Sequence, residues 1–370
     1  IFLFNYKEFL NTKVINNSPV IWIFLLLYIN VLIGITYTDS TWVWIELHLG
    51  KYAKFIYASM LILILIKHRR LQAIALKAFV LGMFFVLIST WLNIWFLLPW
   101  SRSQVIGWGQ NHYVYGDHIT QNIIMAFFSV LSIHLIRESA NRYRKIFWLI
   151  CSIFSILSIT HLSQGKTGAL VLFAGLSSYL FFTYGFKKFI PLGGLLVIFS
   201  LLLISTSTQL DNRIHQAKLE LNTFEKNEKT SIGHRIFNAT TTIELIKARP
   251  IFGHGTGGYH TAICDFIKIK SDTKCDFYNW HPHNQYLFFA ADHGLIGFLT
   301  YLGLIFALYL TAVRSPNKNG KLLLSTLATI LAVDSLFNSP FYSSRESEFF
   351  AYMIALLVSM CYVSDKEHWI

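Results

Sequence analysis

Charge is scarce in this chain. Of its 370 residues only 14% are Asp, Glu, Lys or Arg, whereas 54% are hydrophobic. With a mean hydropathy of +0.49, that scarcity excludes a soluble domain of ordinary composition. Cysteine is scarce as well, and no two of the four have zinc-finger spacing. Cys151 and Cys361 fall in apolar runs, where a thiol behaves as a small buried hydrophobe. Cys264 and Cys275 share a polar segment, and in an oxidising compartment a disulfide between them is expected. A secretory leader is not identified either: Ile1 opens the sequence without Met, a basic n-region or a small-residue cleavage site.

What the chain has in abundance is long apolar runs. Ten are long enough for a hydrocarbon core of about 30 Å: roughly residues 19–37, 50–66, 73–99, 119–136, 146–160, 167–184, 188–205, 286–313, 321–338 and 347–363. Backbone facing lipid must satisfy its own hydrogen bonds, so these runs are expected to be helices. The expected fold is an all-α integral membrane protein, a polytopic helical bundle. The net charge of +12 then points to cytoplasmic loops and membrane lipids, not to nucleic acid. Lys67, Arg69 and Arg70 follow the second run, Arg137, Arg142, Arg144 and Lys145 the fourth, Lys187 and Lys188 the sixth, and Arg314, Lys318 and Lys321 the eighth. Every second loop is basic, which places those loops in the cytoplasm and the alternate ones outside. The chain thus divides into N-terminal transmembrane helices (1–205), one large external loop (206–285) and C-terminal transmembrane helices (286–370).

That loop holds 10 Lys and Arg against 8 Asp and Glu, a mixed-charge solvated composition. It is too long for a passive connector. Ser231 is a candidate cap for a helix in which Ile232, Ile236, Ile243 and Ile246 form an approximate apolar face, ending at Arg249-Pro250. The following Phe252-Gly253-His254-Gly255-Thr256-Gly257-Gly258 permits tight turns and close backbone approach to a ligand. It follows no strand and carries no Lys-Ser/Thr pair, so the context speaks against a nucleotide loop.

Candidate chemistry collects outside. Trp280-His281-Pro282-His283-Asn284-Gln285 ends the large loop and sets two imidazoles at the head of an apolar helix, where they can move protons near neutral pH. Lys166, in Ser163-Gln164-Gly165-Lys166-Thr167-Gly168, puts an ammonium at the same side, unless it is an ordinary snorkelling lysine. Arg235 heads the loop helix, where it is alternatively a solvated charge. Arg345 and Glu346 read as a surface ion pair. No clustered pair of carboxylates stands outside to suggest a two-carboxylate hydrolase or a divalent-metal site.

The run HPHNQYLFFAADHGLIGFL, residues 281–299, resembles the signature of the O-antigen ligase and polymerase superfamily: a His-x-His-Asn element and a hydrophobic helix with a Gly-Leu-x-Gly step after a large periplasmic loop. His234-Arg235 through Ala248-Arg249-Pro250-Ile251-Phe252-Gly253-His254-Gly255 resembles the family's Arg-led helix and Pro-x-x-Gly-x-Gly turn. SQGKTGAL, residues 163–170, resembles its short loop before a helix, with Lys166 where an arginine usually stands. Lysine keeps the charge and loses the bidentate fork. Family members have twelve helices, so two more are expected upstream of Ile1.

The resemblance implies a multi-pass protein of the bacterial inner membrane whose site faces the periplasm. It implies transfer of a glycan from undecaprenyl pyrophosphate to an acceptor hydroxyl, without a cofactor or metal. Lys166 and Arg235 would stabilise the departing pyrophosphate; His283, with His281 second, would handle the acceptor proton; Asn284 would orient the corner. Arg249, His254 and Arg345 are secondary candidates for substrate binding. The expected acceptor is a lipid A-core sugar. A lipid-linked repeat (polymerase) or a protein Ser/Thr hydroxyl (oligosaccharyltransferase) are alternatives. A transporter or flippase would carry charge near the bilayer midplane, for which Asp334 is the candidate, and repeated halves, of which none is evident.

Overall fold

The computed structural model describes residues 18–223, 230–270, 275 and 280–363. Among the described residues the regular structure is helical, with no strand. In chain order the helices are α1 (Pro19–Gly34), α2 (Trp42–Tyr52), α3 (Lys54–Lys67), α4 (Arg69–Leu92), α5 (His118–Glu138), α6 (Arg142–His161), α7 (Lys166–Thr206), α8 (Thr208–Thr223), α9 (Ser231–Ala248), α10 (Gly258–Lys270), α11 (Gln285–Arg314), α12 (Lys318–Asp334) and α13 (Ser344–Cys361). Each of the ten apolar runs falls on a helix. By length and composition six helices can cross a membrane: Trp42–Lys67 taken as one, α4, α5, α6, the body of α7 and α11. Pro19–Gly34 is a shorter apolar helix. This measure takes only helices of 18 residues or more and counts the kinked α7 once, so it leaves the expected number of ten crossings untested.

Local sequence explains where the helices start and break. Asp117 caps α5 by accepting from the backbone N–H groups of Ile119 and Thr120, at 2.8 and 3.0 Å. Asn141 does the same for α6 from Tyr143, at 2.8 Å. The cap of α9 is Thr230, whose hydroxyl accepts from the Gly233 N–H at 3.0 Å; Ser231, the expected cap, is the first helical residue. At 41 residues α7 is roughly twice the length one crossing needs. Gly185 interrupts it with φ 72°, ψ 171°, so the sixth and seventh apolar runs remain distinct.

The described residues divide into two compact units. The first takes residues 18–72, 220–324 and 334–363; α11 packs on α1, α13 on α3, and α9 and α10 lie against α11. The second takes residues 73–219 and 325–333 and is organised around α5, buried from Thr120 through Ser132, with α6 and α7 against it. In the most hydrophobic window of α7 only 6% of residues are buried. Apolar surface left bare on that scale is accounted for by lipid.

Candidate functional site

The His281–His283 corner belongs to the first unit and is built by the start of α11. Asn284 caps this helix: its Oδ1 accepts from the Leu287 N–H at 3.0 Å, while its Nδ2 donates to the Leu336 carbonyl at 3.1 Å. Both ends of the carboxamide are thus committed to holding the corner's shape. Gln285 ties the corner to residues 335–341, donating its N–H to the Ser335 carbonyl (2.9 Å) and accepting from the Phe341 N–H (3.0 Å). After Pro282, His283 takes a left-handed backbone with φ 53°, an uncommon conformation for a residue with a Cβ. The turn brings the His281 and His283 rings to 4.2 Å between centroids. The His283 N–H donates to Nδ1 of His281 at 3.1 Å, so that nitrogen is the unprotonated one.

The next layer comes from α9. The His234 ring lies 5.7 Å from that of His283, and Arg235 follows it. Burial, then the Arg235 charge, pull the His283 pKa down to about 4. Burial and the neighbouring His283 hold His281 well below the ordinary histidine range. Both rings are therefore neutral bases at neutral pH. Arg235 is itself mostly withdrawn from water, which lowers its pKa against the opposing fields of Asp334 and Glu220. Asp334, weighed as a midplane charge, is the last residue of α12, and its field reaches Arg235. Glu220 is buried and accepts from the Ile232 N–H at 3.0 Å, anchoring the head of α9.

The glycine-rich turn has a structural task. The His254 N–H donates to the Ala291 carbonyl (2.9 Å), Gly255 to Asp292 (2.7 Å) and Thr256 to Gly34 (3.1 Å), while the Leu295 N–H donates back to Pro250 (2.8 Å). The close backbone approach expected for a ligand is made to α11 and α1. It meets α11 where Gly294 breaks the helix at φ 62°, ψ −156°. Arg249 pairs with Asp39 at 2.9 Å, and His254 Nε2 lies 2.9 Å from the Leu245 carbonyl. Both line a cavity of about 280 Å³ with Asp39, Thr261 and Asp265. Cys264 and Cys275 are joined by a disulfide, Cα–Cα 5.2 Å. Glu346 is buried, its carboxylate accepting from Nδ2 of Asn338 at 2.8 and 2.9 Å, so it is not the surface group that was expected. Arg345 stands in the first turn of α13.

Lys166 is in the second unit, as the first residue of α7; its side chain lies outside the described residues. The loop before it is held by Asn122, whose Nδ2 donates to Ser163 Oγ at 2.7 Å, and by Asn111, whose Oδ1 accepts from the Gln164 N–H at 3.1 Å. A Cβ at Gly168 would lie 2.4 Å from that of Asn122, so this glycine is needed for α7 to approach α5.

Residues 149–302 match the family model described as O-antigen ligase. The resemblance read from the motifs is borne out over this stretch. It contains Lys166, Arg235, the docked turn, both corner histidines and the Gly294 break. An uncharacterized protein of Haemophilus influenzae is 26% identical over 232 residues, covering 61% of this chain and 57% of that protein. The chain thus spans a little over half the length of the curated relative it matches. The apolar helices and the family match together make this a multi-pass membrane protein.

The structure adds residues to the corner that the motifs did not mark. Tyr342 packs its ring 5.8 Å from His281 and 5.4 Å from Trp280; burial, then Asp292, raise its pKa and keep the hydroxyl protonated. Nζ of Lys51 stands 5.1 Å over the Tyr342 ring and 5.7 Å over Trp280. Asp292, within the apolar run 286–313, carried a usable signal as an ionisable group inside a membrane segment. Lys51 and Tyr342 carried none, because their relation to residue 281 is made only by folding.

Proposed function

We propose that this protein is an O-antigen ligase-like glycosyltransferase of the bacterial inner membrane, acting on the periplasmic face. It moves a glycan from undecaprenyl pyrophosphate to an acceptor hydroxyl, with a lipid A-core sugar as the acceptor of first choice. The observation that carries this reading is the convergence of two neutral imidazoles, His281 buried and His283 partly buried, and one largely desolvated guanidinium at the head of an apolar helix. His283 takes the acceptor proton as the new glycosidic bond forms. His281 fixes its position through the 3.1 Å bond from the His283 N–H. As the bond from the sugar C1 to the phosphate oxygen breaks, the electron pair leaves with the pyrophosphate, and Arg235 meets the developing charge where water is largely excluded. Asn284 orients the corner as the helix cap. Lys166, in the second unit, is the second cation that the family resemblance implies.

A reconstituted transfer assay tests the reading. Purified protein in liposomes receives undecaprenyl-pyrophosphate glycan together with lipid A-core, a pilin-like protein or further lipid-linked repeats. Sugar on lipid A-core is the expected result. A ladder on the carrier would make the protein a polymerase, sugar on protein an oligosaccharyltransferase, and transfer to none of them would sink the reading.

A further inference from the structure

Two lysines stand beside the corner that the chemistry above does not use. Lys51 lies near the end of α2 and Lys54 opens α3, where the second apolar run begins on the side read as external. Both are half-buried and belong to the same unit as His281, His283 and Arg235. Their ammoniums converge on the first turn of α13. Nζ of Lys51 donates to Oγ of Ser344 at 2.6 Å, and Nζ of Lys54 donates to the Ser344 carbonyl at 3.0 Å and to Oγ of Ser347 at 2.6 Å. An ammonium has three protons to give, so Lys51 keeps two and Lys54 one. The Ser344 hydroxyl, accepting from Lys51, keeps its own.

Packing alone would not choose this arrangement. Two like charges share one serine, and they do so at the N-terminal turn of α13, whose dipole favours anions over cations. Of the carboxylates in this part of α13, Glu346 is taken up by Asn338, and Glu348 is the one whose field reaches both lysines. One negative charge against two ammoniums and a helix N-terminus leaves the patch in need of an anion.

The patch adjoins the corner. Nζ of Lys51 stands over the Tyr342 and Trp280 rings, Tyr342 packs on His281, and the field of Lys51 reaches His281 as that of Arg235 reaches His283. Each imidazole thus has its own cation. Tyr342 is a fixed platform for Lys51: its hydroxyl lies 3.3 Å from Nε2 of His260, which in turn lies 2.9 Å from Nε2 of His48, and Nδ1 of His48 is 3.3 Å from the Asp292 carboxylate.

We propose that Lys51 and Lys54, with the Ser344 and Ser347 hydroxyls, form a phosphate-binding subsite that holds a phosphoryl group of the lipid-borne substrate beside His281. The subsite rests on the transferase reading above. Phosphate fits because it offers several oxygens to point-charge ammoniums and a hydroxyl spread over neighbouring residues. The donor's pyrophosphate and a phosphate on the acceptor share that chemistry.

The test uses the full chain in nanodiscs of zwitterionic phospholipid, titrated with inorganic pyrophosphate and assayed in parallel for transfer. Lys51→Met and Lys54→Met keep the stems and remove the charge; Lys51→Arg keeps a charge. Each methionine variant is expected to weaken pyrophosphate binding about tenfold and to raise one KM by a similar factor with kcat within about twofold, while Lys51→Arg stays near wild type. The KM that rises, donor or acceptor, identifies the source of the phosphate. Unchanged pyrophosphate affinity in both methionine variants would overturn the subsite, as would weakened affinity with both KM values unmoved. A loss that Lys51→Arg does not restore marks a structural role and overturns it too. Should Lys51→Met fail to fold, Lys54→Met decides by the same criteria. Failure of the transferase reading is separate, because pyrophosphate binding is read without transfer: it shows as a wild type that binds pyrophosphate and transfers nothing.

Discussion

Gly294→Ala is the substitution whose cost can be worked most directly from the structure. Gly294 sits at φ 62°, ψ −156°, a region open essentially to glycine alone, where a side chain costs on the order of 1–3 kcal/mol. A Cβ there would lie 2.2 Å from the Ile251 carbonyl oxygen, 2.3 Å from its carbon and 2.6 Å from the Phe252 nitrogen. These are backbone atoms, so the turn at 250–255 must lift off α11. That movement strains the bonds from His254 to Ala291, Gly255 to Asp292 and Leu295 to Pro250, each worth about 1 kcal/mol net. The total is about 4–6 kcal/mol. Thermal unfolding in nanodiscs, followed by tryptophan fluorescence, measures it. The control is Gly82→Ala in α4, where an added Cβ meets nothing within 4 Å and helix propensity alone acts. A Gly294→Ala protein that melts with wild type and the control would refute the docking of the turn on the helix break.

His283→Ala should abolish glycan transfer while leaving donor binding largely intact, measured by labelled lipid-donor retention; loss of donor binding would recast the histidine as a grip on the donor. Because His283 is held at about 4, below its unfolded value of about 6.5, its neutral form persists as pH falls. The acid limb of kcat should therefore lie well below pH 6, and Arg235→Gln should move it upward. The folded state resists protonation, so this group's stabilisation is full above pH 6.5 and is lost as pH falls toward 4; melting scans across that window check the sign. Reducing the Cys264–Cys275 bond, which closes a loop with a sequence separation of 11, should cost about 2–3 kcal/mol, seen as a lower melting temperature in dithiothreitol. Lys166→Ala should depress transfer severely and Lys166→Arg should be tolerated; full activity of the alanine variant would return this lysine to a snorkelling role.

The ten apolar runs were legible because hydropathy is local, and each is mostly helical, two of them sharing α7 and one divided between α2 and α3. The corner was legible because a histidine pair ending a polar loop is visible without knowing what lies nearby. The glycine-rich turn was legible as a turn, while its partners at residues 34, 291 and 292 are set by folding. The helix cap shifted from Ser231 to Thr230 because either residue can cap and only the backbone chooses. Residues 48, 260, 292 and 342 belong to four segments, and of these only Asp292, an ionisable group inside an apolar run, carried a signal of its own.

By itself, then, the sequence determined the membrane class, the helical segments, the family stretch and the residues that begin α11, all properties carried by neighbours in the chain. Only the tertiary structure decided that Arg235 is desolvated near Asp334 and Glu220, that His283 is a neutral base, and that a carboxylate and two imidazoles stand behind Tyr342. Burial and long-range approach set those properties, and neither is written in any single segment.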